Sequence, residues 1–160
     1  MFIKILEILR IVAVGAAFYF GYSVGYENGY HPDIQLHIMI PVVITAIAGS
    51  SGIEGLFFSK QTALAKGFET GSNYQKQSAI ALLSFTFVSL LVLVLNWGIR
   101  AELTIFFAFI FFFFFSAINH TINAITHKNY KWANINRPFV TLLLIAGMLY
   151  PVIEALKNLS

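Results

Sequence analysis

Residues 106–116 read FFAFIFFFFFS, and the chain continues over residues 117–138 as AINHTINAITHKNYKWANINRP. The first part is among the most apolar runs of the sequence, whereas the second introduces Asn119, His120, Asn123 and His127. At about 100° per helical residue, these four side chains fall within an arc of about 100°, and phenylalanines cover the remaining surface. Unpartnered polar groups in lipid cost several kcal/mol each, so the pattern predicts a membrane helix with one polar stripe that faces other helices or a wet cavity.

The whole chain shares this apolar character. Of its 160 residues, 58% are hydrophobic and 11% are charged, whereas a soluble domain has about 25% charged residues. A soluble domain of this size could not cover its surface with so few charges, so the composition predicts an integral membrane protein. The net charge of +3 does not indicate a nucleic-acid partner, because the basic residues are spread over the ends of apolar segments.

Five segments are long and apolar enough to cross a membrane, which takes about 20 residues. They lie at about residues 5–26, 34–58, 78–97, 103–127 and 139–156. The sequence therefore predicts a single all-α domain over residues 1–160, a polytopic membrane bundle of five transmembrane helices. The first segment ends in YFGYSVGYENGY without a small-x-small cleavage site, which indicates a retained anchor.

The positions of lysine and arginine predict the orientation of this bundle. With the N-terminus inside, eight basic residues lie in cytoplasmic segments and two lie outside. We therefore expect a multi-pass protein of the cell (inner) membrane with its N-terminus inside and its C-terminus outside. The longest loop, residues 59–77, is either a solvated connector or a segment that lays Ala63, Leu64 and Phe68 into the headgroup layer.

Ionisable groups on other helices share the depth of the polar stripe. Glu54 lies about five residues from the inner end of the second helix and His120 about eight from that of the fourth, a difference of about 4 Å. We predict one intramembrane polar cluster in which Glu54 pairs with Arg10 or His120, formed by Arg10, Glu54, Asn119, His120 and Asn123. The alternative is that these groups only make interhelical hydrogen bonds.

Small residues predict close helix packing. Ala17, Gly21 and Gly25 follow one another at four-residue spacing on the first helix, and glycines surround Glu54 on the second. We expect the first series to pack against another helix or another subunit. The glycines around Glu54 would let a neighbouring backbone, a water molecule or a ligand reach its carboxylate.

The four histidines do not form an evident metal or haem site. His37 lies in the outer half and His120 in the inner half, so they cannot ligate one haem within a subunit. His120 and His127 are about 10 Å apart along the helix, too far for one metal ion. The chain has no cysteine and none of the common catalytic or nucleotide-binding motifs. We predict no metal and no cofactor, and only a haem shared between subunits stays open.

Two motifs flank the third and fourth segments: KGFETGSNYQKQSAIALLS at residues 66–84 and INHTINAITHKNYKWANINRP at residues 118–138. Over about residues 42–157 the chain resembles an uncharacterised family of small bacterial membrane proteins, a domain of unknown function. The matching positions are Gly71, Ser72, Tyr74, Gln75, Asn119, His120, His127, Asn129, Tyr130, Asn134 and Pro138. The resemblance implies a four-helix core, to which the first helix is an addition, and no established activity. It also implies a motif at the cytoplasmic end, formed by His127, Asn129, Tyr130 and Asn134.

Three functional hypotheses follow. The leading one is a structural or accessory subunit of a membrane assembly or homo-oligomer, because the chain has small-residue seams and no soluble domain; it predicts no catalytic activity. The second is a small-solute or proton transporter that uses Glu54 and His120 as titrating groups. The third is a lipid- or quinone-directed membrane enzyme with His120 as acid or base. The expected partners are membrane lipid and other membrane subunits or further copies of the chain.

Overall fold

The computed structural model describes residues 2–159, with side chains for residues 4–132 and 134–159. Five helices in this part of the chain are long and apolar enough to cross a membrane: Lys4–Gly25, Pro32–Phe57, Asn73–Val94, Ile99–Thr126 and Asn134–Lys157. This confirms the all-α class and the five predicted spans by length and composition. Met1 and Ser160, the ends of the predicted domain, lie outside the described residues.

One of these spans is not a continuous α-helix. The elements are α1 (Phe2–Gly25), α2 (Pro32–Ile44), a π-helical turn (Thr45–Gly49), α3 (Ser50–Phe57), α4 (Ser59–Lys66), α5 (Asn73–Val94), α6 (Ile99–Thr126) and α7 (Trp132–Lys157). The π turn joins α2 to α3 and begins four residues after Pro41, which lies inside α2. A π turn contains an extra residue, so it changes the direction in which the following side chains point. Glu54 lies on α3, directly after this change.

α5 and α7 begin five and seven residues earlier than predicted, for different reasons. α5 begins at Asn73 because Ser72 caps it: the Ser72 hydroxyl accepts a hydrogen bond from the Tyr74 N–H at 3.2 Å. α7 begins at Trp132, before Pro138 rather than after it. A proline inside a helix removes one backbone hydrogen bond and crowds the carbonyl four residues earlier, and packing of α7 on α6 offsets this cost. Arg137 therefore lies on a helix and not in a loop.

The span formed by α2 and α3 is the centre of the bundle. In the most apolar 18-residue stretch of this span 56% of the residues are buried, compared with 11% in the corresponding stretch of α1. The core on this span includes five fully buried side chains: Leu36, Met39, Ile40, Val43 and Ile44. α1 packs on its outside, and a Cβ atom added at Gly21 would lie 2.3 Å from Met39 Cγ. The small-residue seam of α1 therefore packs against α2 of the same chain and does not by itself indicate a second subunit.

The two ends of the bundle differ in chemistry. We call the end with the start of α1, helix α4 and the α6–α7 connection the basic end. At the opposite end, aromatic rings stack in a row with centroids 4.6–6.3 Å apart: Tyr22, Tyr26, Tyr30 and Tyr150. His37 Nδ1 lies 2.5 Å from Glu102 Oε1 there, a pair that the sequence analysis did not predict.

Candidate functional site

Glu54 is held by two cations at the basic end. Its side chain is 1% exposed, and the Arg10 guanidinium donates to Glu54 Oε1 at 2.8 Å. Arg10 also donates through Nε to the Ser50 hydroxyl at 2.8 Å, which fixes the plane of the guanidinium. Lys66 Nζ lies 3.7 Å from Glu54 Oε2. Of the two partners predicted for Glu54, the structure therefore places Arg10 beside it.

Lys66 reaches this position because the chain folds back after α3. α4 ends at Lys66, and Gly67 follows with φ +72°, the left-handed conformation that commonly terminates a helix. The Asn129 amide donates to the carbonyls of Lys66 and Gly67 at 2.9 and 3.0 Å, which ties this turn to the α6–α7 connection. Burial and the nearby Arg137 lower the pKa of Lys66 to about 8, and Glu54 partly opposes them.

His120 pairs with Asn134 of α7, and its described hydrogen bond does not involve Glu54. His120 Nδ1 lies 2.8 Å from Asn134 Oδ1. The Asn134 amide nitrogen donates to the carbonyls of Lys66 and Asn129, so Oδ1 is the acceptor toward the imidazole. In neutral His120 the proton is therefore on Nδ1, and Nε2 carries the free lone pair. The ring of Phe68 covers one side of the imidazole, with centroids 5.3 Å apart.

The rest of the polar stripe divides between a network and a surface. Asn123 lies 3.4 Å from His127 Nδ1, and its Oδ1 accepts from the Asn129 amide at 3.4 Å. Asn119 is exposed and has no described hydrogen bond, whereas Tyr130 is 62% exposed. The predicted five-residue cluster is thus an Arg10–Glu54 pair and a separate network around His120. The backbone of the α4 terminus connects the two.

A cavity of about 530 Å³ lies between α3, α5 and α6, beside the α4–α5 connection. Toward the middle of the bundle its wall is apolar and includes Ile47, Leu82, Phe112 and Phe113. Toward the basic end its wall is polar and includes Lys66, Gln75, Asn119, His120, His127 and Arg137. Of the positions that carried the family resemblance, six line this cavity: Ser72, Tyr74, Gln75, Asn119, His120 and His127.

Lys66 and Arg137 are site residues that the sequence analysis missed. Arg137 is partly buried, and its described hydrogen bond is one to the Ser116 hydroxyl at 3.4 Å. The sequence pattern places it in a loop, because it predicts that the last helix begins at about residue 139. A lysine followed by glycine at the end of a short helical pattern was the available signal for Lys66, since glycine commonly terminates helices.

Within residues 2–159 no three His, Asp or Glu side chains are placed to hold one metal ion. The arrangement instead offers two cations, several amides and an imidazole lone pair at the polar wall of an open cavity. Groups of this kind can bind and orient a polar molecule by charge and hydrogen bonds.

The fold and this site define a small all-α membrane protein with an amphiphilic cavity at one end. The chain matches the model of a family of unknown function (DUF6790) over residues 5–157, and it belongs to this family. The match includes nearly all of α1, so the expectation that the first helix is an addition to the shared core is wrong. No curated protein and no solved structure matches the chain.

Proposed function

We propose that the protein binds a membrane amphiphile in the cavity between α3, α5 and α6. The observation that carries this proposal is the amphiphilic wall, apolar at Phe112 and Phe113 and polar at Asn119 and His120. His120 follows Phe113 by seven positions on the helix, about 10 Å along the axis. A headgroup at His120 then leaves its hydrocarbon beside the phenylalanines, as the polarity gradient of a bilayer leaflet requires.

The size and opening of the cavity suit this ligand. Its volume of about 530 Å³ lies within the roughly 300–1,000 Å³ of ligand-binding pockets. Ser78 of α5 and Asn119 of α6 both line it and are exposed, so an opening lies between these helices. Nearer the opposite end, Phe85 of α5 packs against Phe109 and Phe112 of α6, which closes that side. An amphiphile enters sideways from the leaflet in this arrangement.

We further propose that the basic end faces the cytoplasm, with the N-terminus inside and the C-terminus outside an inner membrane. The lysine and arginine distribution supports this orientation. A reporter fused after Ser160 is expected to read as external, and one inserted near Gly71 as cytoplasmic. The reverse result at both positions would contradict the orientation and move the cavity to the other leaflet.

A bulky side chain at the opening tests amphiphile binding. Ser78→Trp fills the opening, whereas Ser84→Trp changes an exposed serine of the same helix that does not line the cavity. The purified protein is irradiated with a lipid that carries a photoreactive group in its acyl chain, and labelled peptides are mapped. We expect labelling around Phe112 and Phe113 in the parent and in Ser84→Trp, and its loss in Ser78→Trp. Equal labelling in all three proteins would refute the proposal.

Among the three sequence-based hypotheses, the cavity supports the lipid-directed one. The imidazole lone pair of His120 at the polar wall is the group that would act as a base on a bound headgroup. The subunit and transporter hypotheses stay predictions, tested by the mass of the purified particle and by solute or proton flux into proteoliposomes.

A further inference from the structure

We infer that the amphiphile bound in the cavity is a phospholipid whose headgroup presents a phosphate to Lys66 and Arg137 and a free hydroxyl to the acceptors beside them. This inference rests on the proposed amphiphile binding and names its ligand class. It derives from the charge balance at the basic end and from two acceptors at the cavity wall.

The basic end holds more buried positive than negative charge. Arg10, Lys66 and Arg137 are partly buried, and one buried carboxylate, Glu54, lies among them. The Arg10 guanidinium pairs with Glu54 Oε1 at 2.8 Å, whereas Lys66 Nζ is a weaker partner at 3.7 Å from Glu54 Oε2. The other two carboxylates of this end, Glu7 and Glu69, are exposed, and water and salt screen them. The excess positive charge lies at Lys66 and Arg137, and both residues line the cavity.

Arg137 is the stronger of the two anchors. In the described part of the chain no carboxylate lies within ion-pair distance of its guanidinium, and its hydrogen bond to Ser116 is long at 3.4 Å. Leaving a partly buried guanidinium without a counter-ion is costly, and its planar donors match two phosphate oxygens. A phosphodiester carries one negative charge, so a phosphate that bridges Arg137 and Lys66 would pair with both cations and halve the excess of two positive charges.

The acceptors at the same wall indicate a hydroxyl on the headgroup. Gln75 donates its amide N–H to the Ser59 carbonyl at 2.9 Å, and its Oε1 is buried without a described partner. His120 contributes a second acceptor, because Asn134 fixes its proton on Nδ1. Both residues line the cavity. An ionised phosphate donates no proton to these acceptors, so a neighbouring hydroxyl is the group that satisfies them.

Native mass spectrometry of the delipidated protein in detergent tests this assignment. The probes are phosphatidylglycerol, phosphatidic acid, phosphatidylcholine and diacylglycerol with identical acyl chains, together with glycerol 3-phosphate and inorganic phosphate. We expect a one-to-one adduct with phosphatidylglycerol that exceeds the other lipids. Lys66→Gln and Arg137→Gln should each weaken it about tenfold or more, the value of a charge-assisted hydrogen bond. Lys60→Gln, an exposed lysine of α4, is the charge-matched control and should change it less than twofold.

A second variant guards against loss of folding in the first two. Asn119 is exposed at the cavity wall and has no described hydrogen bond, so Asn119→Asp adds a negative charge without removing a structural contact. It should weaken binding of phosphatidylglycerol but not of diacylglycerol. Equal loss of both lipids would overturn the anion assignment.

The remaining outcomes separate the two proposals. Equal binding of diacylglycerol and phosphatidylglycerol in the parent protein would overturn the phosphate assignment and leave the amphiphile site standing. Equal binding of phosphatidic acid and phosphatidylglycerol would overturn the hydroxyl assignment alone. Adducts with glycerol 3-phosphate or phosphate, but with no lipid, would support the anion site and overturn the proposed amphiphile function. Lipid adducts that are insensitive to Lys66, Arg137 and Asn119 would overturn the inference.

Discussion

Replacing Glu54 by glutamine removes the carboxylate that Arg10 and Lys66 share. Removing one partner of a fully buried ion pair lowers the free energy of unfolding by about 3–5 kcal/mol. The side chains of Arg10 and Lys66 keep 20% and 15% exposure, so water partly compensates them, and we expect about 3 kcal/mol for Glu54→Gln. Arg10→Gln leaves Glu54 with Lys66 at 3.7 Å, and the loss of one charged hydrogen bond predicts about 2 kcal/mol.

The double variant should lose less than the sum of the single variants. With both residues changed to glutamine, neither the Glu54 carboxylate nor the Arg10 guanidinium is left without its partner, and the two amides can bond to each other. We expect a total loss of about 3 kcal/mol instead of about 5, a coupling energy of about 2 kcal/mol, within the range found for residues in contact. The assay is reversible unfolding in mixed micelles, followed by helicity, for the parent, both single variants and the double variant.

Two further double-mutant cycles serve as controls for this measurement. Glu154 and Lys157 form an exposed ion pair at 2.6 Å, and their cycle should be additive within experimental error because solvent screens the pair. A cycle between Glu54 and His120 should also show little coupling, since their described bonds involve other partners. Additivity for Arg10 and Glu54, below about 0.5 kcal/mol of coupling, would refute the role of this ion pair in joining α1 to α3. Strong coupling between Glu54 and His120 would support the other pairing considered from sequence.

Two more outcomes follow from the packing and the charges. Gly21→Leu should destabilise the protein by about 1–3 kcal/mol through overpacking, because its Cβ would lie 2.3 Å from Met39 Cγ, whereas nothing lies within 4 Å of a Cβ at Gly15. Gly15→Leu is therefore the control in the same unfolding assay, and equal stability of the two variants would contradict the α1–α2 seam. For pH, the folded-state pKa of Lys66 is lowered from 10.5 to about 8, so above pH 8 the folded protein binds fewer protons at this site than the unfolded chain. Lys66 therefore makes stability rise with pH between about 8 and 10.5. Lys66→Gln should remove this rise and Lys60→Gln should retain it; unfolding measured at several pH values decides.

Much of the architecture could be predicted because lipid imposes it residue by residue. Spans of about 20 apolar residues are recognisable without any tertiary information, since the backbone must satisfy its own hydrogen bonds in hydrocarbon. The Arg10–Glu54 pair could likewise be predicted from the sequence, because burying a carboxylate requires a cation at the same depth. The capped start of α5 was visible in Ser72 and Gln75, whose spacing is that of a capping box, although the apolar pattern alone placed it later.

The location of the cavity required the tertiary structure. Periodicity places Asn119 and His120 on one stripe, but it does not give the rotation of that helix relative to α3 and α7. The π turn before Glu54 adds a residue to the central span and changes its register. Helix α4 folds back and brings Lys66 beside Glu54, and α7 begins early enough to bring Asn134 to His120 and Arg137 to the cavity.

The sequence by itself determined that this chain is a membrane bundle of five apolar helices, with a polar stripe on the fourth. Composition and helical period suffice for this, because each residue meets lipid or protein according to its own hydrophobicity. Only the tertiary structure decided that His120 bonds Asn134, that Glu54 bonds Arg10, and that Lys66 and Arg137 share a cavity wall. The partner of each buried polar side chain depends on the rotation of the helices about their axes and on the positions at which the loops pack against the bundle. Contacts between residues distant in sequence set both.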